Sequence, residues 1–488
     1  MSLSTALNIA QSALLATSRQ TSVVSQNVTS AQDANYARRT AVVASTAPGA
    51  RVVQIQRAAN EMLFRQNLVA ISAREGQNAV YDGMERLELA VNGAEGSLSP
   101  AAALTELQKA LDTYAATPSN RNLAESAVNA ARDVVRSLNS ATGAIQKLRA
   151  DADAEIANGV STVNDLLARF EEANSTIISG TRAGRDVTAA LDQRDGILKQ
   201  ISEYIPISTF TRGDNDMVIM AGNGSTLFET IPRQVSFEPK ATYTASVDGN
   251  AVYVDGVPLI GGVGGNTSAT GKLAGLIQLR DDVTTTLQSQ LDEVARGLIT
   301  AFAESDASPV PTLPDQTGLF IWSGAPAVPT AGTLVEGLAG SIGLNPAMDS
   351  ALGGNPELLR DGGANGPAYN ANTSNSASFS DQLTRYVDRL GQPMAFDASA
   401  GIGASASVTA YAANSIGWFE GLRQEASNAA ESKEALAMRT QEALSNNTGV
   451  NVDTELAMLL DLENAYEASA RILKAVDEML ATLMAAVG

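Results

Sequence analysis

The chain has 488 residues with neither cysteine nor histidine, which excludes disulfides, Cys/His metal sites, thiol nucleophiles and histidine-based triads. Asp and Glu number 53 against 33 Lys and Arg, a net charge of −20; this argues against nucleic acid or an anionic membrane surface as partner, since little here would neutralise phosphates. With 44% apolar residues the chain can bury a core, and its length suggests roughly three domains at ~150 residues each.

Taken in order, Leu3, Leu7, Ala10, Leu14, Thr17, Thr21, Val24 and Val28 alternate in steps of four and three, the seam of a helix that packs on other helices. Arg19 is the sole charge before Asp33. Residues 1–25 have neither a basic start nor an unbroken apolar run, so no Sec signal peptide is expected. No stretch approaches the ~20 apolar residues of a membrane span.

Residues 35–56 read as a connector, with a strand over Tyr36–Val43 and a turn at Pro48-Gly49. A helix is predicted over 60–91, closed by Asn92-Gly93. Ser99-Pro100 supplies an N-cap and first-turn proline for a helix to Ala116. The longest helix spans 119–179, with Gly143 and Gly159 as sites of bending, and another spans 186–204.

Pro206 changes the period. Strands are expected at 207–211, 217–220, 235–237, 242–247 and 251–254, with Asp248-Gly249-Asn250 as the hairpin between the last two. Arg212-Gly213-Asp214-Asn215-Asp216 lacks the spaced ligands of a calcium loop, and Gly261–Gly265 lacks the Lys-Ser/Thr of a phosphate loop; both read as turn chemistry. A helix follows Gly271 and runs to Ala303. Residues 305–403 are rich in Pro, Gly, Ala, Ser and Asn, and predict an exposed, loosely packed module with one helix at 381–390. A helix over 405–444 is anchored by Trp418, Phe419 and Leu422, with Asn446–Gly449 as the joint to the next.

The final helix, 452–487, carries Val452, Leu456, Leu459, Tyr466, Ala470, Leu473, Leu480 and Met484 as its seam, broken by Glu463 and Asp477. At about 1.5 Å per residue it is roughly 50 Å long. Carboxylates are the one abundant catalytic type, and a pair of them could cleave glycosides. An aromatic content of 5% disfavours a sugar groove.

Both ends resemble one family. Ala6-Leu7, Ser12-Ala13-Leu14, Asn27-Val28, Tyr36 and Arg38 resemble the N-terminal signature of bacterial flagellar rod, hook and hook-associated proteins. Gly449-Val450-Asn451, Glu455-Leu456, Ala465-Tyr466, Ala468–Arg471 and Asp477–Leu480 resemble the C-terminal one. Where the family has Asn-Ile-Ala-Asn, this chain has Asn27-Val28-Thr29-Ser30, and where it has Gly before the Tyr, this chain has Asn35, the residue next most tolerant of a left-handed backbone. Asp192-Gln193-Arg194-Asp195 and Gly271–Leu276 resemble segments of the hook-associated members in particular.

The fold expected is mainly α with an inserted β module. Residues 1–56 form an N-terminal coiled-coil helix and connector. Residues 57–205, continued by 272–304 and 405–446, form a long-helix bundle domain. A small β domain spans 206–271, an irregular outer module 305–404, and a C-terminal coiled-coil helix 447–488. The resemblance implies a structural role in the flagellum, joining hook to filament by self-assembly of the terminal helices. The assembly interface would be Leu3, Leu7, Ala10, Leu14, Val24, Val28, Leu456, Leu459, Tyr466, Leu473 and Leu480, and the terminal helices would fold only on assembly. It implies no catalytic, cofactor or metal residues. The implied partners are the hook protein, the next hook–filament junction protein and an export chaperone on the C-terminal helix; the implied place is extracellular, reached without a cleaved signal peptide. The alternatives are the hook protein itself, which lacks the long helices of 119–204, and a type III translocator, which needs a membrane-inserting segment.

Overall fold

The computed structural model describes residues 3–46, 49–93, 96 and 98–487. It is mainly α-helical, with small antiparallel sheets. Helix α1 (Leu3–Thr29) leads into a hairpin of β1 (Arg39–Thr46) and β2 (Gly49–Arg57). Pro48 of the expected turn lies outside the described residues. Next come α2 (Glu61–Val91), α3 (Pro100–Ala116), α4 (Arg121–Arg182) and α5 (Thr188–Tyr204). The starts obey local chemistry: Asn60 Oδ1 accepts from Leu63 N, Ser99 Oγ from Ala102 N, and Asn120 Oδ1 from Asn122 N.

Helix α4 is 62 residues long, about 90 Å, and neither glycine breaks it. Nothing lies within 4 Å of a Cβ built on Gly143, whereas Gly159 lets Leu273 and Tyr204 approach the helix. The helix runs through both hydrophobic cores. Its first half joins Leu87, Leu104, Leu298, Phe302, Tyr386 and Phe419; its second half joins Leu68, Ile201, Ile219, Phe228 and Leu276.

The second core is roofed by two three-stranded sheets: β3 (Ile207–Thr211), β4 (Met217–Ala221) and β5 (Thr226–Phe228), then β6 (Val235–Ser236), β7 (Tyr253–Val254) and β8 (Val257–Pro258). The hairpin turn is Asp255-Gly256, both at positive φ, rather than Asp248-Gly249-Asn250. Basic side chains remove residues 244–250 from the ladder. Arg149 donates to the carbonyls of Thr244 and Val247, Lys240 to that of Asp248, and Arg280 to that of Asn250.

Helix α6 (Lys272–Gln278) passes through one π-helical turn (Leu279–Val283) into α7 (Thr284–Ala301). Residues 305–404 contain the short helices α8 (Leu338–Ser341) and α9 (Leu358–Asp361), then α10 (Asp381–Gly391). This stretch is not loosely packed. Leu319, Phe320, Leu338, Met348, Leu359, Leu383, Tyr386 and Leu390 are buried in the first core, and Asn139 and Arg132 of α4 reach Ala339 O and Asp349. Its β pairing is confined to two-residue strands and single bridges, and carboxylates order much of the rest. Asp292 accepts from Gly337 N and Ala339 N, Glu304 from Ala364 N and Asn365 N, and Glu293 from Asp397 N. Such contacts span long sequence separations, so composition reads them as loop.

Helix α11 (Val408–Thr448) lies along α2 and buries Phe419, with Trp418 and Leu422 partly covered. The joint to α12 (Val452–Val487) is shorter than expected, because α11 continues through Thr448 and Asn451 already caps α12, its Oδ1 accepting from Thr454 N.

Two predictions follow from the packing. A Cβ on Gly275 of α6 would sit 2.3 Å from the Gly76 carbonyl of α2. Gly275→Ala is expected to lower stability by roughly 1–2 kcal/mol despite better helix propensity, and Gly143→Ala to raise it by up to about 1 kcal/mol; equal denaturant midpoints for the two would contradict this. Burial pushes the Asp292 carboxyl up to about 6 against its backbone donors. A folded pKa above the unfolded ~3.9 gives stability that is full below that unfolded value and lost as pH rises through about 6. Between pH 4 and 7 this site removes roughly 2 kcal/mol, so Asp292→Asn should flatten the pH dependence of unfolding; an unchanged slope would rule the assignment out.

Candidate assembly interface

Helix α1 packs along α12 and against the β1–β2 hairpin. The end of α1 meets the start of α12, so the pair is antiparallel. Ala10, Ala16, Val23 and Val24 of α1 are buried, and Leu3, Leu7, Leu14 and Val28 are half-buried. On α12 the seam differs from the expected one. Leu459, Leu473 and Leu480 lie on it, half-buried, and Leu462 and Val476 are its buried residues. Leu456 and Tyr466 are exposed at 44% and 46%. Glu463 and Asp477 mark the offset: one residue back, Leu462 and Val476 are buried, and positions 455, 459, 462, 469, 473, 476 and 480 line the packed face in steps of three and four, apart from one step of seven that passes over the exposed Tyr466.

The first position of that seam is Glu455, which is fully buried. It faces Asn27, also fully buried, at the end of α1. Asn27 Nδ2 donates to Glu455 Oε2 at 2.9 Å and to the Arg39 carbonyl at 2.8 Å. Its Oδ1 accepts from Arg39 N at 3.0 Å and from the Tyr36 hydroxyl at 2.8 Å. All of the amide's hydrogen-bonding capacity is used, and it pairs with Arg39 much as a neighbouring strand would. The other oxygen of Glu455 accepts from Arg38 Nε at 2.6 Å, while Arg38 N donates to Thr448 O at the end of α11.

The hairpin carries the connection inward. Arg39 and Arg57 are opposite each other in the β1–β2 register, so their side chains share a face. Arg39 Nη2 reaches Asp192 Oδ2 at 2.8 Å, and Arg57 bridges Asp192 at 2.6 Å and Asp195 at 2.5 Å. Burial works against the Arg57 charge, but Asp195 and Asp192 more than offset it and hold its pKa above the ordinary value. Arg39 also stacks over the Tyr36 ring at 4.7 Å, and burial pushes the Tyr36 hydroxyl pKa up. The Asp-Gln-Arg-Asp segment of α5 is therefore the socket for the hairpin that carries the terminal helices. The turn before it does not use a left-handed Asn35. Asp33 Oδ1 accepts from Asn35 N, and no positive φ is needed.

Asn27, Arg39, Arg57, Asp192 and Glu455 were not among the expected interface residues, because polar residues do not register in an apolar seam. Neither calcium-like nor phosphate-like stretch forms a site. Asp214 and Asp216 pair with Arg182 and Arg212, and the carbonyls of Gly264 and Gly265 accept from Gln278 and Gln77. Among the described residues no three acidic side chains converge as metal ligands, and no helix is long and apolar enough to cross a membrane.

Removing the carboxylate shared by two arginines leaves buried charge uncompensated. Asp192→Ala is expected to cost about 3–5 kcal/mol, whereas Asp133→Ala, which loses only the exposed pair with Arg136, changes stability by less than about 1 kcal/mol. Similar unfolding midpoints for the two variants would contradict the socket.

Residues 84–318 match the flagellar hook-associated protein FlgK helical domain, and residues 441–486 match the flagellar basal body rod FlgEFG protein C-terminal model. Flagellar hook-associated protein 1 of Escherichia coli strain K12 is 21% identical over 344 residues, 67% of this chain and 61% of that protein. The protein of the same name in Bacillus subtilis strain 168 is 22% identical over 373 residues, 71% of this chain and 68% of the relative. The match thus spans about three fifths of the E. coli relative's length. Among solved structures, the flagellar hook junction protein FlgK from Burkholderia pseudomallei aligns with a TM-score of 0.42 at 18% identity, covering 53% of this chain and 47% of that one. With the helical-domain match followed by the rod-type C-terminal match, the chain is similar to the flagellar rod, hook and hook-associated proteins, and among them to flagellar hook-associated protein 1.

Proposed function

We propose that this protein is a structural component of the bacterial flagellum that joins hook to filament, and that it works by packing rather than by catalysis. The observation that carries this is the terminal pair. It is fixed at its root by a buried polar clamp, yet Leu15, Leu456, Leu460, Tyr466 and Met484 stay exposed along it. Helix faces of this kind are covered by neighbouring copies in an assembly. Leu3, Leu7, Ala10, Leu14, Val24, Val28, Leu459, Leu473 and Leu480 hold the pair together, and Leu456 and Tyr466 belong to the face offered to neighbours. The partners are copies of itself, the hook protein and the next hook–filament junction protein, with an export chaperone covering α12 before assembly. The site of action is extracellular.

The proposed division of labour keeps residues 57–205, 272–304 and 405–446 as one helical body, with 206–271 and 305–404 as its β and outer parts, and 1–56 and 447–488 as the assembling ends. Limited proteolysis of monomer should cut before about residue 64 and after Leu444 first; early cuts within 120–180 would contradict it.

A deletion strain viewed by electron microscopy is expected to carry normal hooks and to shed flagellin into the medium. Missing hooks would overturn the junction role in favour of the hook protein. Leu456→Asp with Leu459→Asp should leave the body folded by circular dichroism and block incorporation into flagella; normal incorporation would refute the interface.

A further inference from the structure

We propose that the cleft at the root of the terminal pair receives the acidic outer face of α12 from a second copy of this chain. The inference rests on the assembly reading and specifies one of its contacts. The cleft, about 1170 Å³, is walled by α1, the 31–37 turn, β2, the start of α2, the 181–188 turn, α5, β3 and the end of α11. No residue of its own chain's α12 lines it, so the cleft is open to a neighbour.

Its charge departs from that of the rest of the molecule. The chain as a whole is at −20, yet Arg19, Arg65, Arg185, Arg194 and Lys199 all line this cleft with no carboxylate in ion-pair distance among the described residues. Arg194 is only 3% exposed; its Nη1 meets two neutral oxygens, of Asn174 and Asn215, and its Nε has no acceptor. Lys199 Nζ has only the long contacts of 3.5 and 3.3 Å to Ala34 O and Asn35 Oδ1. The acids of the cleft are mostly engaged already: Asp195 holds Arg57, Asp186 takes the Thr188 amide and hydroxyl, and Asp33 takes the Asn35 amide; Glu61 sits in the first turn of α2. Cations without partners in a strongly acidic chain are matched to an incoming carboxylate.

Helix α12 is the complementary element. Asp461, Glu463 and Glu467 are exposed on it beside Leu460 and Tyr466, and Phe210 at the cleft rim is 50% exposed to meet an apolar side chain. Glu467 already pairs with Arg471 on the same helix, which neutralises that cation and leaves Glu463, beside Leu460, as a carboxylate without an ion pair among the described residues.

The test uses the absence of native cysteine. Full-length Lys199→Cys and Glu463→Cys chains are co-expressed, and isolated flagella are oxidised. The expected result is a mixed disulfide dimer, absent when Arg136→Cys replaces Lys199→Cys. Arg185→Glu, on an exposed residue, should reduce incorporation at least tenfold while leaving the melting midpoint unchanged, and Glu463→Lys with Glu467→Lys should restore it. If the unmodified chain is found in flagella but no mixed dimer forms, or the dimer contains a different axial protein, this contact is overturned and the assembly reading stands. If the unmodified chain is not in flagella at all, the assembly reading fails and this contact fails with it.

Discussion

The rest of the structure depends on one buried contact between an amide and a carboxylate, Asn27 to Glu455, which are 428 positions apart in sequence. A carboxylate taken wholly out of water costs several kcal/mol unless it is paired and hydrogen-bonded. Here Arg38 supplies the charge and Asn27 the second donor. Asn27 is held in turn by both backbone groups of Arg39, and Arg39 by Asp192. The amide of Asn27 and the carboxylates of Glu455 and Asp192 find their partners only when α1, the hairpin, α5 and α12 are all in place, so the four elements are coupled as one geometric unit. That fixes the direction in which the terminal pair leaves the body.

The body solves a different problem. A 62-residue helix cannot be covered by one core, and α4 is clad along its first half by α3, α7 and residues 305–404, and along its second by α5, α6 and the small sheets. Where the covering chain is irregular, charged side chains take the place of a ladder. Arg280 and Asp153, each 1% exposed, pair at 2.5 Å and tie the 240–250 loop to α4. Glu293 and Arg296 form an equivalent pair under Phe396 and Tyr411.

Much of this was legible in the residues. Helices announce themselves by period and caps, which is why the limits of the long helices and of the two terminal helices are legible to within a few residues. Three things were not legible, each for a physical reason. A seam of period 3.5 has near-equal neighbours one residue away, so the spacing alone does not separate the buried Leu462 and Val476 from the adjacent Glu463 and Asp477. The clamp is made of polar groups whose partners lie hundreds of residues off, and Asp192 and Asp195 stood out only as a resemblance. The order within 305–404 comes from carboxylates of α7 and its continuation, Asp292, Glu293 and Glu304, accepting backbone amides, a contact type that composition does not reveal.

The central claim is that the terminal pair is anchored at one end by this clamp and completed along the rest of its length by neighbours. Hydrogen exchange on protein shown to be monomeric tests it most directly. Amide protection should be highest around Asn27 and Glu455 and fall steadily toward residue 3 on α1 and toward 484 on α12, rising along both helices in assembled flagella. Uniformly strong protection of both helices in the monomer, or protection at their far ends exceeding that at the clamp, would contradict the account.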